Sequence, residues 1–177
     1  KVLGGSGSIN AMAYVRGQPA DFDAWAQAGN PGWAWDDVLP FFLRSEDHVG
    51  GASTYHGSGG PMRVTDIADQ VHPLCARFLD AAQALGFGRT TDFNGPQGEG
   101  VGIYQISTRN GLRESSATAF LRPALQRPHL TVHCHAHATR ILTEGRRAVG
   151  VQYLRGRVHV EARARRGLFL CGEVVNV

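Results

Sequence analysis

From Leu130 to Arg166 the sequence falls into three runs, LTVHCHAHATRILTE, AVGVQYLR and RVHVEARARR, parted by the short turns Glu144-Gly145 and Arg155-Gly156. Each run alternates or is rich in β-branched residues, and turns this tight join antiparallel neighbours, so the stretch predicts an antiparallel meander. The next run, RGLFLCG, breaks the alternation. A continuous apolar burst ending in glycine is the pattern of a strand covered on both faces, as in a parallel sheet. Together they predict an α/β fold carrying a side-sheet.

The texture changes three times along the chain, with no internal repeat and no low-complexity linker, which points to a chain passing between two packed units. Near the start, Asp21 is placed to cap a helix through Trp25 and Ala28, broken at Gly29-Asn30-Pro31-Gly32; Trp35-Asp36-Asp37 opens a second carrying Val38, Leu39, Phe41 and Phe42. The aromatics of this stretch are assigned to the core. SINAMAYVRG, before it, fits helix and extended chain equally. From Asp47 to Gly60 the residues are small and polar, a long loop of the kind that forms a lid or excursion, and PMRV after it is short and extended.

Leu74, Phe78, Ala81, Ala82 and Leu85 recur at helical spacing and stop at Gly86. A strand is predicted through Val101, Ile103, Gln105 and Ser107, then a turn at Asn110-Gly111. Ser115 or Ser116 then caps a helix through Ala119, Phe120 and Leu121 that ends near the second of Pro123 and Pro128.

With 177 residues, 42% hydrophobic and 19% charged, there is material for one ordinary core or two modest ones. No run approaches the roughly 18 residues of a membrane-spanning helix, and the first residues lack the order of a secretory signal. Cys75, Cys134 and Cys171 are odd in number, far apart and outside any C-x-x-C spacing, which predicts reduced, buried thiols in a cytoplasmic protein. The net charge is only +3, but eight arginines lie between Arg140 and Arg166 against Glu144 and Glu161. Such a face suits phosphate or a membrane surface, and equally a solvated hairpin edge. No basic-aromatic interleaving marks a nucleic-acid binder.

The opening KVLGGSGSIN places Gly4, Gly5, Ser6 and Gly7 in a row. Consecutive small residues let backbone N–H groups converge on one concavity, which suits a pyrophosphate or the polar edge of a heterocycle; the same glycines also serve a plain chain reversal. G-x-G-x-x-G spacing and a P-loop lysine are both absent from this loop.

KVLGGSGSINAMAYVRGQPADFDAW closely resembles the first signature of the glucose-methanol-choline (GMC) flavoprotein oxidoreductases, with Gly4-Gly5, Ser6-Gly7, Ile9, Asn10, Tyr14, Gly17 and Asp23 at its positions. NPGWAWDDVLPFFLRSE, YHGSGGPM, DFNGPQGEGVGIYQ, RNGLRESSATAFLRPALQRPHLTV and HATRILTEGRRAVGVQY resemble family text in family order. The resemblance implies an α/β fold: part of an FAD-binding Rossmann-like domain with an antiparallel β-meander, plus part of an α+β substrate-binding domain. Residues 1–46 would be flavin-domain loop and lid segment, 47–126 the substrate-domain excursion, and 127–177 the return to the flavin domain.

By the same resemblance Val2, Gly4, Gly5, Ser6, Asn10, Ala11, Met12 and Ala13 lie along FAD, and Ala138 meets the adenine through its backbone. Ile9 stands where some members carry a flavin-tethering histidine, which implies non-covalent FAD. Tyr14, Tyr104 and Gln105 are candidates for the substrate pocket, and equally for core packing. The implied reaction is oxidation of a small-molecule alcohol to an aldehyde or ketone by hydride transfer to flavin N5. Substrate, electron acceptor, and oxidase or dehydrogenase character stay open.

The family's catalytic base belongs to its C-terminal portion and none of the eight histidines here occupies that position, so no catalytic residue is assigned. The sequence stops at LFLCGEVVNV, where a second family signature begins, and no role is carried to Asn176. The expectation is an internal fragment, without the N-terminal dinucleotide fingerprint and inactive alone. His133, His135 and His137 would share a strand face at period two, but no carboxylate or cysteine completes a metal site, and structural or solvent-facing roles are favoured. His56 is read as a turn-forming loop residue. A competing reading is a non-catalytic α/β module whose glycine loop and arginines bind phosphate or another anionic ligand.

Overall fold

A computed structural model of the chain describes residues 2–172; the final EVVNV, Asn176 included, lies outside them. Two compact units form, Lys1–Pro128 and His129–Val177.

In the first unit, α1 (Pro19–Gln27) and α2 (Trp35–Ser45) are joined by a turn at Gly29 and Gly32. Proline at the first helical position starts α1 two residues ahead of Asp21, whose carboxylate instead accepts the Gln18 N–H (2.8 Å). Asp23 of α1 accepts the Trp35 N–H at the start of α2 (3.0 Å), so one helix caps the next. Phe22 is buried against Trp25, Trp35 and Phe42, whereas Trp25, Trp33 and Phe41 remain about half exposed rather than forming core.

The stretch assigned to a loop from Asp47 begins instead as strand. β1 (Glu46–His48) runs parallel to β2 (Met62–Thr65), β2 is antiparallel to β3 (Ile106–Arg109), and β3 to β4 (Leu112–Arg113). Val64 of β2 is fully buried. Asn110 and Gly111, with φ of 53° and 76°, make the two-residue hairpin between β3 and β4 that their sequence predicted. β3 is shorter than predicted because Gly100 and Gly102 interrupt the run: Val101 only bridges Arg89, and a Cβ at Gly102 would overlap the Thr90 carbonyl oxygen.

α3 (Leu74–Ala84) stops just before Gly86 as predicted, but no residue of the predicted stripe is buried: Leu74, Phe78 and Leu85 are exposed, and the helix instead turns Leu79, outside that stripe, into the interior. After Ser115, whose hydroxyl accepts the Thr118 N–H, a wide helical turn Ala117–Leu121 leads into the single turn α4 (Arg122–Ala124).

The second unit is the predicted meander, β5 (Ala136–Glu144), β6 (Arg147–Arg155) and β7 (Val158–Arg163), with Gly145 and Gly156 at positive φ in its turns. β5 starts later than predicted because His135 sits at φ 54°, which ends the extended chain and takes His133 and His135 off any common strand face with His137. RGLFLCG forms no strand: Phe169 and Leu170 are exposed, and among the described residues nothing pairs with them or covers them. The thiols are free but not buried, since Cys134 precedes β5, Cys171 lies in that exposed tail and half-buried Cys75 sits in the first turn of α3. No helix among the described residues is long and apolar enough to cross a membrane.

Candidate functional site

The glycine loop is a tight turn. Gly4 and Gly5 have φ of 91° and 59°, a region open to glycine at little cost, and lead into a single 3₁₀ turn, Gly5–Ser8. A Cβ at Gly4 would press on Ser8 Oγ, Ala117 Cβ and Ser115 Oγ, while one at Gly5 would meet nothing within 4 Å. The loop therefore packs at Gly4 against the turn after β4 and stays open at Gly5. Ser116 Oγ donates to Gly4 O (3.1 Å) and Arg113 to Gly7 O (3.2 Å), which fastens it there. No long helix follows directly, so the loop's polarity comes from its own peptides.

SINAMAYVRG begins inside the 3₁₀ turn, with the Ile9 and Asn10 N–H groups donating to Ser6 O (2.9 and 2.8 Å), and leaves it without forming a helix from Ala11 to Gly17. Asn10 Oδ1 accepts the Met12 N–H (2.9 Å) and an Arg113 N–H (3.1 Å), and Met12 adopts φ 65°, a strained value for a residue with a side chain. Past Met12 the segment lies along β3: Ser107 N–H donates to Met12 O (2.9 Å), Ala13 bridges Ile106, and Tyr14 N–H donates to Gln105 O (2.9 Å). Gly5, Ser6, Ile9, Asn10, Ala11 and Ala13 are exposed, a continuous strip of main chain and small side chains; Val2 and Leu3 beside it are about half exposed.

Behind the strip lies a buried charge cluster that the sequence did not reveal. Glu46 is fully buried and meets Arg16 (2.9 Å), His56 Nδ1 (3.1 Å) and the Gly57 N–H (2.7 Å). His56 Nε2 meets Asp92 Oδ2 (2.8 Å). With a carboxylate on each ring nitrogen, His56 is placed to donate at both ends as an imidazolium, the form this geometry favours. The hydrogen bond to Glu46 raises its pKa above the ordinary 6.5, burial opposes this, and Asp92 adds to the rise. Burial pushes Glu46 up, but the hydrogen bonds from His56 and Gly57 and the Arg16 charge outweigh it and hold the carboxyl below its ordinary 4.5. Arg16 also donates to Tyr55 O (2.6 Å) and lies over the Phe42 ring (5.2 Å), and His48 stacks on His56 (3.9 Å between centroids).

These shifts fix a pH window. The raised His56 pKa gives stability that is complete below about pH 6.5 and lost as pH rises through its folded value. The lowered Glu46 pKa gives stability present above about pH 4.5 and lost as pH falls through its folded value. Denaturant midpoints measured from pH 4 to 9 should peak between these limits. In His56→Gln the decline on the alkaline side should flatten; an alkaline decline identical to the wild type would show that His56 is not held as an imidazolium.

A cavity of about 650 Å³ opens beside the strip, lined by Met12 and by the sheet face carrying Arg63, Thr65, Ile106, Thr108 and Arg113. Of the residues singled out in the sequence, Met12 lines it. Tyr14 packs beside Arg16 and Glu46, with its hydroxyl pKa raised by burial and by the Glu46 charge. Tyr104 stacks on Phe93 (4.4 Å) and Gln105 is buried beside Tyr14 through its carbonyl. Ala138, on β5 of the second unit, pairs with Tyr153 of β6.

The sequence and fold are similar to those of known proteins. The chain is 44% identical over 176 residues to an oxygen-dependent choline dehydrogenase of Brucella ovis, 99% of this chain and 32% of that protein. It is 42% identical over 164 residues to an alcohol dehydrogenase [acceptor] of Pseudomonas putida, 92% and 30%. The chain thus spans about a third of the length of the curated relatives it matches. Its fold superposes on a pyridoxine 4-oxidase from Mesorbium loti with a TM-score of 0.80 at 34% identity (89% of this chain, 31% of that one). An FAD-dependent oxidoreductase from Chaetomium thermophilum also gives 0.80, at 25% identity (90% and 30%). The profile of the GMC oxidoreductases matches residues 1–176, so the glycine turn, the extended strip and the meander all fall within one match, and the chain belongs to the GMC oxidoreductase family.

Proposed function

We propose that this chain forms part of an FAD-dependent enzyme that oxidises a small alcohol to an aldehyde or ketone. The observation that carries the reading is the exposed strip from Gly5 to Ala13. It is open where a Cβ at Gly5 would meet nothing, fixed from behind by Arg113, Ser107 and Ser116, and set beside a cavity. Main chain bared by glycine and alanine admits a flat heterocycle at close range, so the residues present fit the cofactor.

In this reading Gly4 shapes the turn. Gly5, Ser6, Asn10, Ala11, Met12 and Ala13 hold the flavin, with Val2 at its edge and Ala138 meeting the adenine through its main chain. With Ile9 where a tethering histidine would stand, the cofactor is bound without a covalent link. Bound flavin supplies a hydride acceptor at N5. The chain's own residues bind and orient: Asn10 and Arg113 fix the strip, and Met12 closes one wall of the cavity where the alcohol is placed. No described residue is assigned the role of proton acceptor. The choline and alcohol dehydrogenases among the relatives support an alcohol as substrate.

The test is anaerobic addition of alcohols to the full-length, flavin-loaded protein. A panel of choline, primary aliphatic and benzylic alcohols should include at least one that bleaches the oxidised flavin absorbance within the assay, with one aldehyde or ketone formed per flavin reduced. A loaded protein whose flavin no alcohol reduces would overturn the reading.

A further inference from the structure

The strip keeps its shape through a residue that touches none of its exposed face. At Tyr14 the segment uses the Gln105 carbonyl for its N–H, and beyond that point β3 offers it no further main-chain partner among the hydrogen bonds seen. Asn94 takes over. Its Nδ2 donates to Tyr14 O (2.8 Å) and its Oδ1 accepts the Arg16 N–H (2.7 Å), so one side-chain amide supplies the donor and the acceptor that a neighbouring strand would supply. Asn94 is buried, and its own position is set by its N–H donating to Asp92 Oδ1 (2.9 Å). The other oxygen of Asp92 holds His56, and through it Glu46 and Arg16, so both ends of the clamp are tied to one buried cluster.

The consequence reaches Met12. A residue with a side chain stays at φ 65° only where its neighbours over-determine the path. On one side the path is held by the Asn10 carboxamide and Ser107; on the other it is held by the Gln105 carbonyl at the Tyr14 N–H and by Asn94 at Tyr14 O and the Arg16 N–H. Releasing the two Asn94 bonds would leave that side to the Tyr14 N–H bond with Gln105 and would let the main chain from Met12 to Arg16 shift, at residues that would hold the flavin.

We infer that Asn94 is a positioning residue for the flavin, acting through its two hydrogen bonds to the main chain of Tyr14 and Arg16. This rests on the flavin reading above for its functional consequence, though not for the clamp itself.

The experiment uses the full-length protein with Asn94→Asp, which keeps the shape but loses the donor to Tyr14 O, and Asn94→Ser, which is smaller and keeps one polar atom. Leu79→Ala, on α3 and outside the site, is the control for loss of stability alone. Hydrogen exchange on the cofactor-free protein reads the clamp, and FAD affinity, visible circular dichroism of the bound flavin, kcat and KM read its effect.

Both Asn94 variants should lose amide protection in residues 12–16 and bind FAD about tenfold more weakly. They should alter the flavin dichroism and lower kcat by about 10² with a smaller change in KM, the scale of effect of a misplaced reacting group. Leu79→Ala should lower the melting temperature and leave affinity and dichroism unchanged.

Unchanged protection of residues 12–16 in both Asn94 variants would overturn the clamp. Wild-type affinity and dichroism in both, or the same changes in Leu79→Ala, would overturn the positioning role. Failure of the wild type to take up FAD would overturn the flavin reading and the positioning role with it, leaving the exchange result to decide the clamp separately.

Discussion

Glu46→Gln should cost the folded protein about 3–5 kcal/mol, read from the shift of its urea midpoint at pH 6. Glu46 is the single anion between Arg16 and His56, and it also accepts the Gly57 N–H. The variant keeps the volume but leaves a buried guanidinium facing a neutral amide and removes one of the two carboxylates that hold the His56 imidazolium. Breaking such a pair from one side is far costlier than its net worth, because the orphaned charge stays buried. The complementary variant Arg16→Met should cost less, since Glu46 retains His56 and Gly57. The order of the two losses is thus as diagnostic as their size. A loss below about 1 kcal/mol for Glu46→Gln would mean that water reaches the cluster and screens it as at a surface.

Gly57→Ala should be of similar size, about 3 kcal/mol, near the upper end of what overpacking costs. A Cβ there would overlap the main chain of Leu43 in the last turn of α2. Gly57 cannot step aside cheaply: its N–H is held by Glu46 and its carbonyl accepts the His48 N–H (2.9 Å). Gly59, two residues on, is the control. It has φ 77° but open space around its Cβ, so Gly59→Ala should lose only the cost of a left-handed residue, about 1–2 kcal/mol. Equal losses in the two variants would show that backbone conformation, and not the approach of the loop to α2, decides the outcome.

Local chemistry was the legible part of this fold. Asn110-Gly111 demanded a hairpin, Gly145 and Gly156 fixed the meander's turns, and the spacing from Leu74 to Leu85 gave α3 its length. Each of these signals is complete within a few residues. Exposure was not legible, because a pattern states which faces are apolar and not what covers them: Phe78 on α3 and Phe169 in RGLFLCG both read as buried and both stand in solvent.

The glycine loop was visible from its small residues and Asn10–Ala13 from the family resemblance, but the buried cluster was not. Glu46 and His56 are ten residues apart, His56 and Asp92 thirty-six, and Arg16 and Asn94 seventy-eight, with no common motif. His56, read as a turn-forming loop residue, does lie in the loop between β1 and β2 but in no regular turn; its hold on both ring nitrogens depends on Asp92 arriving from a distant loop. A signal was present in the polarity of these positions within otherwise unremarkable loops, but only the folded chain pairs them.

Whether the strip from Gly5 to Ala13 holds a flavin is decided by titrating the full-length, cofactor-stripped protein with FAD. Uptake should saturate at one FAD per chain, with quenching of flavin fluorescence and a visible spectrum shifted from that of the free cofactor. Released by denaturation, the FAD should leave no flavin on the polypeptide. A stripped protein that remains folded and takes up no FAD at concentrations well above those of the protein would contradict flavin binding by the strip.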